Sequence, residues 1–566
     1  MRKRHIEKNK VLLVNITRLG DMIQATPTIA GLKMENPECY IAVLVEKAFS
    51  EVCSHIPYVD EVIPIDLGLM VQALAREGEG IIDAYEYFDG IVHRLREAQF
   101  DFCLNMSNSA YTALLIHLIG ITRMGGWVAD SEGYRRIESD WARLFASNVF
   151  FRNRHFNSLN LVDIFRASAD VEQHPDSLII GLDEDALKYS QELLSESGLS
   201  GKKPLIAIQV GASQGKRQWA SRHFARMAIQ FRNELDAGLI FTGTRSELPL
   251  IEQVLTECNF CDGDKVLVAA GKTNVPQLGA LLSYCDLLVT GDTGTMHMAV
   301  AVKVPVVALF LASAYCFETG PYSADNIVIQ PTIECGPCNP NKLCARPDCH
   351  DHVSPELVVE LVRRRLANDW SLLPDDLYDW QRAIVYRSCF DEYGFLDFVP
   401  MHSVDVRPET IMQEVYRRLW MDEIGGQIYR QRDFKVNRDK GSLNIIEGDF
   451  DIEILSNKVI EVARRGQLLI DNLHLAVADA KVPVETLSII NQELSEADKF
   501  IEEYGLTNHI LGPLARMFVF ARENLAGSDV TELAKQMKTI YVDLERRASK
   551  LTKYYSEVCS YGNAQR

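Results

Sequence analysis

Through the first 370 residues, short apolar runs alternate with stretches whose apolar positions recur every three or four residues. VLLVNI (11–16), YIAVLV (40–45), FDFCLNM (100–106), PLIAIQV (204–210), AGLIFTG (237–243), DLLVTGD (286–292) and VPVVALF (304–310) read as buried parallel strands. Helical periodicity occupies Gln24–Met34, Asp185–Glu196, Ser221–Leu235 and Leu248–Leu255. Repeated strand–helix–strand units predict an α/β fold, a parallel sheet covered by helices. The segment SESGLSGKKP (195–204) ends a helix, turns on two glycines and starts a fresh strand after proline. The alternation restarts there, giving two Rossmann-like domains, 1–198 and 199–369, facing across a cleft. Ligands of such sheets bind at the carboxyl ends of the strands.

After about Asn368 the strand runs stop, and 370–566 reads as an all-α extension with a polar break at 432–442. Ile452, Leu455, Val459, Val462, Leu469 and Leu473 follow a 3-4 spacing, with Gly466 in the missing place. Leu533, Met537, Ile540, Leu544 and Leu551 repeat the pattern. Such seams need a facing helix, supplied by the same chain or by a second subunit. The pattern therefore admits either an internal bundle or a homo-oligomer formed through these helices.

A chain of 566 residues is long enough for three or four domains. Its 47% hydrophobic and 24% charged residues suit a soluble globular protein. A formal charge of −19 argues against a nucleic-acid partner, which requires clustered cations. The 13 cysteines are an odd number, and no signal-peptide pattern precedes them, so a disulfide framework is not expected. The uncharged stretch Phe102–Thr122 carries Asn, Ser and His and reads as strand plus amphipathic helix rather than a membrane span. The expected location is the cytoplasm.

Four polar turns follow strands. In RLGDMIQATP (18–27), Gly20 permits a tight turn and Asp21 stands at the strand's carboxyl end, with a helix expected to start near Ala25–Pro27. An aspartate there accepts a proton, orients a hydroxyl or caps the helix. In VGASQGKRQWASRHF (210–224), Ser213, Gly215, and Lys216 or Arg217 suit an anion, although a solvated basic loop has the same composition. In TGTRSE (242–247), Glu247 is either a ribose acceptor or an acid stabilised by a helix dipole. In GDTGTMHMA (291–299), Asp292, Thr293 and Gly294 open a helix, with His297 one turn in. The last three turns lie at one sheet edge and together offer cation, acid and N–H donors, a set suited to a nucleotide diphosphate.

Through GDMIQATP, GASQGKRQW, GTRSE and GDTGTMHMAVAVKVPVVALF, in that order, the chain resembles glycosyltransferase family 9, the ADP-heptose:lipopolysaccharide heptosyltransferases. The resemblance covers roughly residues 10–368. It implies a GT-B fold with an acceptor domain first and a nucleotide-sugar domain second, inversion at the anomeric carbon, and chemistry without a metal. It further implies Asp21 as general base, and Ser213 with Arg217 or Lys216 on the diphosphate. Glu247 falls on the ribose, Thr273 where backbone meets adenine, Asp292 on a sugar hydroxyl, and Thr293, Gly294 and His297 around the phosphates. Here Arg217, not lysine, stands two residues before the tryptophan, and Ala220 replaces the usual proline after it. The resemblance says nothing of the helical third.

Two features stand apart. CGPCNPNKLCARPDCHDH (335–352) spaces Cys335, Cys338, Cys344 and Cys349 closely enough for four thiolates to surround a structural zinc or iron ion. Reduced unconnected thiols and disulfides are the competing readings. YRRIESDWARLFASNVFFRNRHF (134–156) holds Tyr134, Arg135, Arg136, Trp141, Arg143, Phe150, Phe151, Arg152 and Arg154, suited either to anionic lipid at the inner face of a membrane or to an ordinary packed helix. The leading expectation is an inverting glycosyltransferase moving a heptose or related sugar from an ADP-sugar to a cell-envelope glycan such as lipopolysaccharide core. A protein O-heptosyltransferase and a non-catalytic sugar-nucleotide scaffold are the alternatives. Intact Asp21 and Asp292 weigh against the scaffold.

Overall fold

A computed structural model describes residues 8–76, 78, 80–149, 152–260, 265–406, 408–425, 443–445, 451–478 and 482–563. Phe150, Phe151 and the polar break at 432–442 lie outside the described residues. The chain forms two compact units, Met1–Val128 with Asn160–Ser403, and Ala129–Leu159 with Val404–Arg566.

The first unit holds two sheets. In the first, β1 (Lys10–Asn15), β2 (Tyr40–Glu46), β3 (Glu61–Ile65), β4 (Phe102–Asn105) and β5 (Met124–Ala129) run parallel in the order β3-β2-β1-β4-β5. Leu12 pairs with Ala42 on one side and Cys103 on the other, and all three are fully buried. A strand covered on both faces has no polar alternation, which is why VLLVNI is continuously apolar. The stretch from Phe102 is a strand followed by the helix Ala110–Ile119, as its polar residues require. The short β6 (Arg135–Glu138) belongs to the second unit.

The second sheet comprises β7 (Leu205–Gln209), β8 (Gly238–Thr242), β9 (Val266–Val268), β10 (Leu287–Gly291), β11 (Val306–Leu309), β12 (Ile327–Pro331), β13 (Ala383–Phe390) and β14 (Leu396–Pro400). Their order is β14-β13-β12-β11-β10-β7-β8-β9, parallel from β12 to β9. Gln209 pairs with Thr242, and Gly291 with Leu309, so these strands end on one edge. That edge faces the polar turns. The expectation that strands stop near residue 368 is corrected: β13 and β14 are added antiparallel beyond it. Antiparallel edge strands tolerate polar positions, and AIVYRSCF mixes Arg and Ser with its apolar residues, hiding the signal.

In the second unit, the helix Ile452–Ala478 packs on the helix Val530–Asn563. The buried line along the first helix runs Ile452, Ser456, Val459, Ala463, Gly466 and Ile470, one position beyond Leu455 and Val462 of the predicted seam. Gly466 is a close-approach position: a Cβ there would lie 2.4 Å from the Tyr541 ring. The facing helix thus comes from the same chain. Glu423, at the end of the helix Pro408–Ile424, receives Arg546 at 2.7 Å and Lys550 at 2.6 Å. In the 134–156 segment, Trp141 and Arg154 are buried, and Arg143 pairs with Asp140 at 3.1 Å. Among the described residues, no helix is long and apolar enough to cross a membrane.

Candidate functional site

Asp21 is the third residue of the helix Leu19–Gln24, directly after β1. Helix therefore begins at Leu19 rather than near Ala25–Pro27, and Pro27 sits in the first turn of a second helix, Thr26–Glu35. Gly20 is helical, with no positive φ. Its value is close approach: a Cβ there would lie 3.0 Å from His297 Cδ2 and 3.6 Å from the Gly294 backbone. The loop after β1 and the helix Gly294–Ala301 after β10 are in contact at this point.

Asp21 accepts a hydrogen bond from Thr17 Oγ1 at 2.6 Å, and Thr17 also reaches Asn15 Oδ1 at 2.6 Å. Burial raises the Asp21 carboxyl above its ordinary value, opposed by Thr17, by the Arg18 charge and by the Arg18 backbone N–H. That last contact ties one end of Asp21 to the helix start. A buried carboxylate with a raised pKa is a better proton acceptor than an exposed one.

Beside it, Gln24 Nε2 lies 2.8 Å from His297 Nε2. His297 is fully shielded and pushed down to about 3 by burial, so it is a neutral imidazole. Asp292, in the turn before the same helix, accepts from Arg217 Nη1 at 3.0 Å and from Thr319 Oγ1 at 3.1 Å. Burial raises its carboxyl too; the Arg217 charge opposes this, while Asp21 is near enough to add to it. Thr293 is the N-cap of that helix and Gly294 its first residue, so their N–H groups open toward the same place.

The loop after β7 tightens into a turn at Gly215–Arg217, with Ser213 exposed on its approach. Arg217 Nε donates to Ser313 Oγ at 2.7 Å, which fixes the guanidinium between Ser313 and Asp292. Lys216 points the other way, toward backbone carbonyls of residues 339–342. Glu247 forms a capping box with Thr244 and accepts from Gln209 Nε2 at 3.1 Å. Gly211 is required there, since a Cβ would coincide with Glu247 Oε1. Thr273 lies in the turn between β9 and the helix Val275–Ser283.

The structure thus brings Asp21, from the first sheet's turn, to Asp292, Thr293, Gly294 and His297 at the edge of the second, where Arg217 meets Asp292 and Glu247 holds the adjoining strand end. Sequence reasoning missed Thr17, Gln24, Gln209, Ser313 and Thr319. Gln209 carried a usable signal, a buried polar residue at the last position of an apolar strand.

The metal expectation finds no support in the structure. Among the described residues, no group of three or more His, Cys, Asp or Glu side chains is placed to hold a metal ion. Cys335 and Cys344 are exposed, Cys338 is half-buried and Cys349 is buried. The loop's polar groups are engaged elsewhere: Cys338 N–H donates to Ala312 O at 2.9 Å, and the carbonyls of 339–342 face Lys216. Burial, foremost, and the neighbouring Cys335, Cys349 and Cys344 push the Cys338 thiol up to about 11.

Residues 90–346 match glycosyltransferase family 9 (heptosyltransferase). The chain is 27% identical over 326 residues to lipopolysaccharide heptosyltransferase 2 of Salmonella typhimurium, covering 57% of this chain and 88% of that protein. It is 24% identical over 300 residues to lipopolysaccharide heptosyltransferase 3 of Escherichia coli, covering 53% of this chain and 81% of that one. A crystal structure of a family 9 glycosyl transferase from Veillonella parvula superposes with a TM-score of 0.51 at 21% identity, over 64% of this chain and 99% of that one. By these likenesses, together with its paired parallel sheets, the chain is a glycosyltransferase of the GT-B fold whose residues 90–346 match family 9.

Proposed function

We propose that this glycosyltransferase moves a heptose from an ADP-sugar to a lipopolysaccharide-core acceptor, with inversion at the anomeric carbon. The observation that carries the reading is the approach of Asp21, on the first sheet's turn, to Asp292 and His297, on the second's. Relatives named as lipopolysaccharide heptosyltransferases support the choice of sugar and acceptor. On this reading residues 1–198 present the acceptor and 199–369 the donor, with β13 and β14 extending the donor sheet, while the helices after residue 403 serve recognition or assembly. The enzyme works in the cytoplasm, at the inner face of the membrane where such acceptors are built.

In the step, Asp21 takes the proton of the acceptor hydroxyl as its oxygen bonds to the anomeric carbon. The bond from that carbon to the diphosphate oxygen breaks on the opposite side, and ADP leaves with the electron pair. Arg217, Ser213 and the N–H groups at Thr293 and Gly294 meet the charge that develops on the diphosphate. Asp292 orients a sugar hydroxyl, Glu247 the ribose, and the backbone at Thr273 the adenine. Neutral His297 donates without adding charge. Holding both substrates between two loops supplies the orientation term.

A protein hydroxyl is the second acceptor reading, favoured by the helical residues 404–566, which lie beyond the family match ending at residue 346. The test is turnover of a panel of nucleotide sugars, followed by mass spectrometry with and without a heptose-free core acceptor. ADP-heptose should be consumed faster than UDP- and GDP-sugars. Preferential turnover of another nucleotide would reject the donor assignment.

A further inference from the structure

Lys216 stands beside Arg217 in the turn read above as the diphosphate loop, and both are cations. They are disposed differently. Arg217 faces the sheet edge between Ser313 and Asp292. The Lys216 ammonium donates to Lys342 O at 2.7 Å, Asn339 O at 2.9 Å and Pro340 O at 3.0 Å. An ammonium has three N–H donors and no more. Three carbonyls therefore use all of them, and none is left to offer a phosphate.

Those carbonyls belong to the cysteine loop, between Cys338 and Cys344. The same loop grips the donor turn from other directions. His350 Nε2 lies 2.9 Å from Lys216 O, and Trp219 Nε1 donates to His350 O at 3.1 Å. Cys338 N–H donates to Ala312 O at 2.9 Å, and the Cys349 thiol is hydrogen-bonded by the Ala312 backbone. Ala312 is held at φ 53°, a left-handed conformation uncommon for a non-glycine residue. Ser313, the next residue, is the one that seats Arg217 Nε. The cysteine loop thus reaches Arg217 by two routes, one through residue 216 and one through residues 312–313.

We propose that Lys216 is a positioning residue: its ammonium, enclosed by the Asn339, Pro340 and Lys342 carbonyls, latches the cysteine loop 335–349 onto the turn 213–219 and so sets Arg217 for the diphosphate. The diphosphate part of this rests on the donor-loop reading above; the latch does not. A planar guanidinium cannot place three N–H groups on a tripod of carbonyls, so arginine is not a substitute here.

The test uses the full-length protein, with Lys216→Met and Lys216→Arg beside wild type. The first readout is the rate at which a maleimide labels Cys349, followed by peptide mass spectrometry without nucleotide. The second is calorimetry with ADP. The latch predicts labelling at least tenfold faster in Lys216→Met, and ADP affinity reduced at least fivefold in both variants, including the one that keeps the charge. Wild-type labelling in both variants overturns the latch, and ADP affinity retained by Lys216→Arg but lost by Lys216→Met makes Lys216 a phosphate ligand instead. Should Lys216→Met not fold, Lys216→Arg carries both readouts, its labelling then expected at least threefold faster. A wild-type protein that fails to bind ADP rejects the donor-loop reading, while the labelling ratio still decides the latch.

Discussion

Gln24 and His297 meet through their Nε2 atoms at 2.8 Å, joining the first helix after β1 to the helix after β10. With His297 neutral, its Nε2 accepts from the Gln24 amide, and the proton resides on Nδ1. Nδ1 and Gln24 Oε1 are both buried and have no protein partner among the described residues. One donor and one acceptor are therefore left open where the two sheets' loops adjoin, beside Asp21 and Asp292.

Burial fixes the charge state of His297 across the physiological range. Burial holds His297 near 3, so it does not take up a proton between pH 5 and pH 8. Long-range proton–nitrogen NMR on histidine-labelled protein should show one unchanging neutral tautomer for His297 across that range. A midpoint near the ordinary histidine value would contradict the packing described.

Glu247→Ala and Asp292→Ala should each weaken ADP-sugar binding more than tenfold. Loss of a charged hydrogen-bonding partner costs about 1.5–3 kcal/mol. Competition calorimetry against ADP separates them: Glu247→Ala should weaken ADP itself, and Asp292→Ala chiefly the sugar-bearing donor. Unaltered affinities in both would move the donor away from the second sheet.

Gly466→Ala should destabilise the helical unit. Alanine is the better helix former by about 1 kcal/mol, but its Cβ would fall 2.4 Å from a Tyr541 ring whose hydroxyl is tied to Asp498 at 2.6 Å. Overpacking of this kind costs about 1–3 kcal/mol. Urea denaturation followed by helical circular dichroism should show a lowered midpoint; a raised one would mean the helices separate easily there.

Much of this fold is legible in the sequence, because the parallel strands are apolar on both faces and the turns after them are polar. What escapes has a physical reason. β3 contains Pro64, which breaks the strand signal, and β13 and β14 lie toward an edge where polar residues are tolerated. Asp21, Glu247 and Asp292 are legible as candidates because each follows a strand end. Gly20 was found for a different reason from its actual one, since a close approach to His297 leaves no mark in local sequence. The carbonyl cage around Lys216 was unreadable, because its acceptors are backbone atoms more than 120 positions away.

Glu423→Ala should cost the helical unit about 1–3 kcal/mol, since it strips a buried carboxylate from the partly exposed Arg546 and Lys550 and from the buried Arg547. Burial opposes ionisation of Glu423, but the Arg546 and Lys550 contacts prevail and bring it down to about 2. A depressed carboxyl stabilises the fold above its unfolded pKa of about 4.3. That contribution is lost as pH falls through about 2. The gap between wild type and Glu423→Ala should therefore narrow below pH 4. A gap independent of pH would assign the loss to packing alone.

Transfer depends on Asp21 as the base. Its carboxyl, raised by burial, must be ionised to act, so transfer should fall as the medium is acidified through that raised value. The most direct measurement is heptose transfer from ADP-heptose by wild type and Asp21→Asn, with ADP binding measured on the same preparations. General-base removal predicts transfer lowered by about 10²–10⁴-fold, with ADP affinity within a factor of three of wild type. Transfer by Asp21→Asn within threefold of wild type would take Asp21 out of the chemistry and contradict the mechanism.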